Sequence, residues 1–396
     1  MPEHGFGEDT TLNTVGTPGY LSWVHFGDLH IQEEEDENYS DFLDLIEEAN
    51  ENLAGEVDFA FLPGDNAENG TEAEYNLVRR ALDRLVLPVH VIAGDHDRKA
   101  GTLDYFRRYL EPEPYRAVAL QTFRLLFLNA MDGDTQKDFD LSSEQLEWLR
   151  QELDEARAAG LRPLLFLHLY PSELRTRAAE LNRLVREFRV ELVEMGHTHY
   201  NELANDGHTI YAVTRSTGQI EEGPPGFSFT TVDGDVISWK FKPRGTWPFV
   251  MITSPSDENL ITRPESSHHV VRGVVPVRAT MWGASAVSAV SYSVDELSPR
   301  PMHFAHGHWS VEWDSSEVPD GSHRLAIHAV TEAGRTAQDA ISILVNQAGQ
   351  YKAPLRSAID YENAIGAYPA KYVLGTQLGP NENGTKGPWP SWRGKL

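Results

Sequence analysis

Five short apolar runs of this chain each end in an aspartate or a histidine, and this repeated pattern constrains the fold more than any other feature. The side chains at the run ends are Asp28, Asp65, Asp95, His168 and His197. A short apolar run bounded by loop residues is typical of a buried strand. Open α/β sheets collect ligand chemistry at the carboxyl ends of their strands. We therefore expect these side chains to meet at one rim, if the strands lie side by side in one sheet.

The segments between these runs have the spacing of amphipathic helices. Apolar residues in 39–53 fall on one helical stripe, and helical periodicity returns over 72–85 and after Ser142. The predicted strands of this part cover residues 57–62, 88–93, 123–129, 164–168 and 190–195. Alternating strands and helices predict a layered α/β core. Turns at 205–207 and 233–235 indicate hairpins that would finish this domain near Gly245.

After Trp247 no helical period appears, and the pattern changes to short alternating strands. Apolar alternation is found in 271–280, 286–294, 308–313, 323–330 and 338–345. Several short strands at this spacing predict a β-sandwich. The pieces Tyr292-Ser293-Val294-Asp295 and Trp313-Asp314 resemble those of bacterial immunoglobulin-like modules. The predicted division is an N-terminal extension, an α/β domain, a sandwich and a Gly/Pro/aromatic extension expected to dock on the protein: 1–20, 21–246, 247–347 and 348–396.

Composition restricts the chemistry and the partners. The 396 residues include no cysteine, so any metal must take nitrogen and oxygen ligands. A formal net charge of −26 argues against a long groove for a nucleic-acid backbone. The first twenty residues have no apolar core, and no apolar run reaches membrane-spanning length. We expect a cytoplasmic protein that binds no membrane, with export after removal of a signal peptide as the alternative. The sequence leaves a homo-oligomer open.

The strand ends carry further ligand-type side chains next to those already named. His30, His96 and His199 bring the set to three carboxylates and up to five imidazoles. Such a concentration of buried charge requires neutralisation, and two divalent ions would supply it. We therefore expect a metal site without thiolate ligands.

The order of these motifs resembles that of the calcineurin-like metallophosphoesterases. The motifs are Asp28-x-His30, Gly64-Asp65, Gly94-Asp95-His96-Asp97, a lone His168 and Gly196-His197-x-His199. The likeness covers about residues 21–245 and is closest to the branch of class III cyclic-nucleotide and glycerophosphodiester phosphodiesterases. It implies a four-layer α/β/β/α metallophosphoesterase sandwich, here followed by the all-β immunoglobulin-like sandwich.

The resemblance also implies roles for the motif residues. It assigns Asp28, His30 and His199 to a first metal, Asp65 to a bridge between metals, and Asp95, His168 and His197 to a second metal. A hydroxide shared by two divalent or trivalent transition metal ions, such as Mn, Fe or Zn, would attack the phosphorus of a small phosphoester substrate in line. His96 would protonate the leaving alkoxide, and Asp97 would orient His96.

One position departs from the family pattern, which has Asn where this chain has Asp95. A carboxylate still binds a hard cation, but it adds negative charge, so a dianionic monoester should be disfavoured relative to a monoanionic diester. We therefore expect a phosphodiesterase. The alternatives are a phosphomonoesterase or nucleotide pyrophosphatase with the same metals, and a binding protein weakened in catalysis by Asp95.

Other polar residues have plainer interpretations. His25 is expected to pack inside a strand, and the acid run 33–37 to form a solvated loop. The group His303, His306 and His308 is expected at the surface of the sandwich rather than at a metal. Asn66 and Tyr170 adjoin ligand positions and are predicted to line the substrate pocket.

Overall fold

The computed structural model describes residues 19–133, 138–218, 224–283 and 286–352. The N-terminal extension up to residue 18 and the C-terminal extension from residue 353 lie outside the described residues, and with them the predicted docking of the aromatic tail. Among the helices of these ranges, none combines the length and apolar character needed to span a membrane.

Within the described residues, the first part of the protein contains five α-helices and eleven strands. The helices are α1 Glu37–Leu53, α2 Glu72–Leu82, α3 Asp104–Tyr109, α4 Ser143–Ala159 and α5 Ala178–Glu187. The strands are β1 Tyr20–Phe26, β2 Phe59–Leu62, β3 Val89–Val91, β4 Arg116–Leu120, β5 Phe123–Phe127, β6 Arg162–Phe166, β7 Leu192–Met195, β8 Glu202–Asn205, β9 Ile210–Val213, β10 Gly226–Asp233 and β11 Val236–Pro243. The predicted start of α4 is confirmed, because the Ser142 hydroxyl accepts a hydrogen bond from the Gln145 amide at 3.0 Å.

The strands form two sheets that pack face to face. The first has the order β11-β10-β1-β2-β3, with β1, β2 and β3 parallel, and the second has the order β4-β5-β6-β7-β9-β8, with β5, β6, β7 and β9 parallel. Between them the rings of Phe61 and Phe166 lie 4.8 Å apart. Helix α1 covers the outer face of the first sheet, where Phe42 packs 5.6 Å from Phe26. The helices α4 and α5 cover the second sheet through buried apolar side chains such as that of Leu149.

The functional strand ends do not lie side by side in one sheet, and they belong instead to the two stacked sheets of the layered arrangement that the family resemblance implied. Strands β1, β2 and β3 lie in the first sheet, whereas β6 and β7 lie in the second. The first sheet is completed by β10, which pairs antiparallel with β1 from about 200 residues further along the chain. The candidate rim is therefore the common edge of two stacked sheets.

The strands read as nearly continuous apolar runs because both of their faces are buried. In β1, Trp23 faces the second sheet and Val24 faces the helices. His25 also faces the second sheet and is 0% exposed, and its Nδ1 lies 2.5 Å from Glu194 Oε2. The prediction of a packed strand histidine is confirmed.

The second part of the protein is a β-sandwich. Its strands are β12 Phe249–Ser254, β13 Val270–Val271, β14 Val274–Trp282, β15 Val287–Val294, β16 Arg300–Pro301, β17 His303–Ala305, β18 His308–Asp314, β19 Gly321–Thr331 and β20 Thr336–Val345. One sheet has the order β12-β14-β18-β17 and the other β13-β20-β19-β15-β16. A separate apolar core fills the space between them, with Trp313 and Ile327 among its members. The strands agree with the predicted alternation, and the identification as an immunoglobulin-like module stays a prediction.

The sandwich is joined to the first part by apolar packing as well as by polar contacts. Phe249 and Trp282 belong to the apolar cluster of the α/β part, and the Trp282 ring lies 4.5 Å from that of Phe229. Arg278 pairs with Asp233 at 2.7 Å. The surface position predicted for His308 is wrong: it is 7% exposed, because the outer face of its sheet packs on Tyr20, 4.4 Å from ring to ring.

Candidate metal centre

The rim where the two sheets meet brings together the seven predicted metal ligands. They lie in the loops that follow β1, β2, β3, β6 and β7, and their side chains are largely buried: Asp28, His30, Asp65, Asp95, His168, His197 and His199. Each of the five loops contributes at least one of these side chains, and the side chains converge on one crevice.

Four of these residues form a compact group. The ligand atoms of Asp65, Asp95, His168 and His197 all lie within 4.8 Å of one another. Asp95 Oδ1 is 3.4 Å from His168 Nε2 and 3.2 Å from His197 Nδ1. This set of two carboxylate oxygens and two imidazole nitrogens suits a transition metal ion.

The remaining three residues adjoin Asp65 on its other side. His30 Nε2 lies 3.7 Å from Asp65 Oδ2 and 3.0 Å from His199 Nε2. His199 Nε2 is in turn 4.0 Å from Asp28 Oδ2. In a second group, the ligand atoms of His30, Asp65 and His96 also lie within 4.8 Å of one another. This group includes His96, the residue predicted as the general acid. Asp65 is common to both groups.

The charges of this cluster need a partner that the surrounding chain does not supply. Burial, followed by repulsion from Asp95 and Asp28, raises the pKa of the Asp65 carboxyl well above its usual value. Asp28 Oδ1 is buried and accepts no hydrogen bond from the residues described. An oxygen left in this state inside a protein is costly unless a cation binds it. The donor set and this orphaned oxygen fit bound metal ions.

The imidazoles respond to the same carboxylates. Although burial lowers it, the pKa of His168 rises to about 8 because of Asp95 and Asp28, and that of His197 rises to about 9 because of Glu173 and Asp95. Burial would raise the pKa of Asp95, but hydrogen bonds from His168 and His197 hold it well below its usual range. Both histidine shifts follow from the negative charge that Asp28, Asp95 and Glu173 concentrate around these rings.

The local backbone explains why glycines precede the ligands. A Cβ on Gly94 would lie 2.2 Å from Asp65 Oδ1, and a Cβ on Gly196 would lie 2.3 Å from Asp28 Oδ1. Four of the eight described non-glycine residues with positive φ belong to the cluster, and they are His30, Asp65, His197 and His199. Such conformations cost free energy and concentrate at functional sites.

Several ligands are oriented by a second hydrogen bond. His168 Nδ1 donates to the carbonyl oxygen of Pro63 at 2.8 Å, which leaves Nε2 free to face the cluster. His30 Nδ1 lies 2.9 Å from Glu68 Oε2. Glu173 lies 3.7 Å from Nε2 of His197 and thus on the side of the ring away from Asp95.

His96 and Asp97 lie at the same rim, but the predicted partnership between them is wrong. The Asp97 carboxylate accepts five hydrogen bonds and none from the His96 ring; the donors are the amides of Asn66, Ala67 and Gly94, the Asn66 side chain and the Tyr75 hydroxyl. The carboxylate next to His96 Nδ1 is Glu68, at 3.0 Å. Lys99 Nζ binds the other oxygen of Glu68 at 2.6 Å.

The two residues predicted to line the substrate pocket have other partners in the structure. Asn66 is 0% exposed and its amide donates to Ile92 O and to Asp97. Tyr170 is 1% exposed and its hydroxyl donates to Glu202 at 2.8 Å. Their contact with a substrate stays a prediction.

Sequence reasoning missed four residues of the site. Glu68, Phe139 and Glu173 contact predicted site residues, and Lys99 pairs with Glu68. The Phe139 ring lies 5.2 Å from that of His197. Glu68 follows Asp65 by three residues in one loop, so its closeness in sequence to a predicted ligand could have identified it as a site residue. Phe139 and Glu173 come from loops without a motif, and only the folded chain places them beside His197.

Residues 22–201 match the family model described as calcineurin-like phosphoesterase. A probable glycerophosphodiester phosphodiesterase GpdQ of Arcobacter nitrofigilis is 28% identical over 126 residues, covering 31% of this chain and 45% of the relative. A probable cyclic nucleotide phosphodiesterase of Synechococcus sp. is 25% identical over 202 residues, covering 48% and 74%. The glycerophosphodiester phosphodiesterase GpdQ of Enterobacter lignolyticus is 28% identical over 166 residues, covering 38% and 57%.

The chain thus spans about half the length of the first of these curated relatives. The matched residues include all of the loops that carry the candidate ligand groups.

Proposed function

We propose that this protein hydrolyses small phosphodiesters at a dinuclear metal centre in the rim. The observation that carries the proposal is the pair of ligand groups that share Asp65. In this assignment Asp28, His30 and His199 hold one ion, and Asp95, His168 and His197 hold the other. When bound, the ions would supply Lewis acidity and positive charge for attack of water on phosphorus.

The chain's own residues would complete the reaction. His96 is 19% exposed in its side chain and lies beside the cluster, so it can reach the oxygen of the departing alcohol. We assign it the role of general acid. Glu68 would hold the His96 ring through Nδ1 and leave Nε2 to carry the proton toward the leaving group. Asp97 keeps the two loops in register through its five hydrogen bonds, and its contribution is structural.

The preference for diesters follows from charge. With Asp28, Asp65 and Asp95 ionised, three carboxylates share the crevice before any substrate enters. A monoester adds two negative charges and a diester adds one, so repulsion over a few Å penalises the monoester more. Glu33, Glu34 and Glu35 are exposed beyond the first motif and would repel long polyanions. The names of the curated relatives support the same substrate class.

A substrate pair tests this function. The full chain is loaded separately with Mn, Fe or Zn, and hydrolysis of bis-p-nitrophenyl phosphate is compared with that of p-nitrophenyl phosphate, alongside elemental analysis. We expect two ions per chain and faster turnover of the diester. Faster turnover of the monoester would favour the phosphomonoesterase. Bound metal without turnover of any phosphoester would favour the binding protein.

The Asp95→Asn variant isolates the charge argument. Asn keeps an oxygen near His168 and His197 and removes one negative charge. We expect the ratio of monoester to diester turnover to rise with the metal content unchanged. An unaltered ratio would show that Asp95 does not set the preference.

A further inference from the structure

A cavity of about 530 Å³ lies at the junction of the two parts of the protein, away from the seven predicted ligands. Strand β11 contributes Trp239 and Lys240, and the sandwich contributes Arg324, His328 and Gln338. Its volume is within the range of small-molecule sites, roughly 300–1,000 Å³. Because both parts supply its walls, the cavity exists only in the assembled chain.

The sandwich side of the cavity has polar side chains around a low floor. Ala326 and Ala340 are directly paired between β19 and β20, and the next pair on the same face is His328 with Gln338. Arg324 precedes Ala326 by two residues on this face. The short side chain of Ala340 lies among the longer ones of Arg324, His328 and Gln338 and leaves room for a ligand above the sheet.

Two of the polar side chains that line the cavity are available to a ligand. Across the ranges that the structure describes, neither the Arg324 guanidinium nor the His328 ring has a hydrogen-bond or ion-pair partner. Both side chains are exposed, so a ligand in the cavity can reach them.

The charges of the cavity are balanced although the chain as a whole is strongly acidic. Lys240 is paired with Asp339 at 2.5 Å. The cavity is also lined by Asp257 and Arg324, whose charges are opposite in sign. An anion would gain from Arg324 but meet Asp257, and a cation would experience the reverse. An uncharged ligand with many hydroxyl groups can donate to the acid and accept from Arg324 and Gln338.

We propose that this cavity binds an uncharged saccharide of one or two rings. The indole of Trp239 and the neighbouring aliphatic side chains of Leu203 and Ile252 would cover an apolar sugar face, while the polar groups bind its hydroxyls. The site is separate from the phosphoester chemistry and does not depend on the proposed function.

The test is binding of neutral sugars to the full chain. Glucose, maltose, cellobiose and diacetylchitobiose are titrated by calorimetry and by saturation-transfer NMR up to about 10 mM, with glucuronate and inorganic phosphate as charged probes. We expect saturable binding of at least one neutral sugar and weaker binding of both anions. Absence of binding by all four sugars, or tighter binding of an anion, overturns the proposal.

Variants locate the site. Ala340→Trp fills the floor, and Arg324→Ala removes a donor; both positions are exposed, so folding should survive. Each should weaken sugar binding roughly tenfold or more. Phe304→Ala is the matched control, because Phe304 is 63% exposed on the sandwich and does not line the cavity. Unchanged affinity in both cavity variants, or an equal loss in the control, contradicts the assignment. Diester hydrolysis at the rim should be unaltered in all three.

Discussion

Asp65 and Asp97 are both buried carboxylates, and they differ in how many hydrogen bonds the described chain donates to them. Asp97 receives five hydrogen bonds from the chain around it. Asp65 accepts one from the His96 amide, at 2.8 Å, and otherwise faces other acids and imidazoles. The chain supplies donors where a carboxylate holds loops together and withholds them where a cation is needed. Burial alone therefore does not distinguish a structural acid from a ligand, and the count of protein donors does.

The Asp65→Asn variant should show the largest effect. Because Asp65 contributes to both ligand groups, we expect loss of bound metal and a fall in diester hydrolysis of more than roughly 100-fold. In EDTA the same variant should be more stable than the natural protein at neutral pH. The raised pKa of Asp65 means that its ionised form opposes folding above the normal carboxyl pKa, and Asn removes that charge. Elemental analysis and urea unfolding measure the two outcomes, and reduced stability in EDTA would contradict the comparison.

The Asp97→Ala variant should act on stability in the opposite direction. It leaves the Gly94 and Ala67 amides and the Tyr75 hydroxyl buried without an acceptor, at a cost of roughly 3–5 kcal/mol in the free energy of unfolding. Asp83→Ala is the control, since Asp83 is 54% exposed and should change stability by no more than about 0.5 kcal/mol. Equal urea midpoints for the two variants would remove the distinction between Asp65 and Asp97.

The expected effect at Glu68 is intermediate, because Glu68 contacts both the predicted metal ligand His30 and the proposed general acid His96. We expect Glu68→Gln to retain the fold, to lower metal affinity roughly 10-fold to 100-fold through His30, and to reduce kcat at saturating metal through His96. The kcat loss should be larger for an alkyl ester than for a nitrophenyl ester, because a poorer leaving group depends more on protonation. A uniform loss for both esters would argue against a role through His96.

The smallest effect is expected at Asp295, a carboxylate in the sandwich that is bound by a titratable donor. His323 Nδ1 lies 2.6 Å from Asp295 Oδ2. Burial would lower the pKa of His323, but Asp295 and the Pro319 carbonyl raise it, and His323 in turn lowers the pKa of Asp295. The raised histidine pKa stabilises the fold below the normal imidazole pKa, and this contribution is lost as the pH rises past the folded value.

The lowered pKa of Asp295 stabilises the fold above the normal carboxyl pKa, and this stabilisation is lost as the pH falls through the acid range. His323→Gln should therefore reduce stability most between about pH 4 and pH 6.5, and by under about 1 kcal/mol because Asp295 is exposed. Urea unfolding at pH 5.5 and pH 9 measures the difference. A larger loss at pH 9 would contradict the assigned signs.

The sequence predicted the ligand cluster because each of its loops follows an apolar run with a glycine or a histidine in a fixed place. The two sheets followed only from the family resemblance and not from the strand pattern, since the pairing of β1 with β10 joins residues about 200 positions apart. The sequence also assigned His96 the wrong carboxylate. Adjacency in the chain favoured Asp97, but the side chain of Asp97 turns into the protein and that of Glu68 reaches the ring.

Elements without a chemical motif were harder to predict. Strand β4 and helix α5 have no chemical motif beside them, and only their own periodicity could have indicated them. Helix α2 ends at Leu82 rather than near Leu85. The surface position expected for His308 was wrong because nothing in its own strand indicates which face the α/β part covers. Such packing is a property of two distant segments together.

The insertion of Phe249 and Trp282 into the apolar cluster of the α/β part has a consequence for how the molecule comes apart. Cutting the polypeptide after Gly245 would uncover the Phe229 ring and strip one wall from the saccharide cavity. Heating should accordingly melt both parts in a single calorimetric transition, and a shortened enzyme lacking the sandwich should precipitate rather than persist as an independent catalyst.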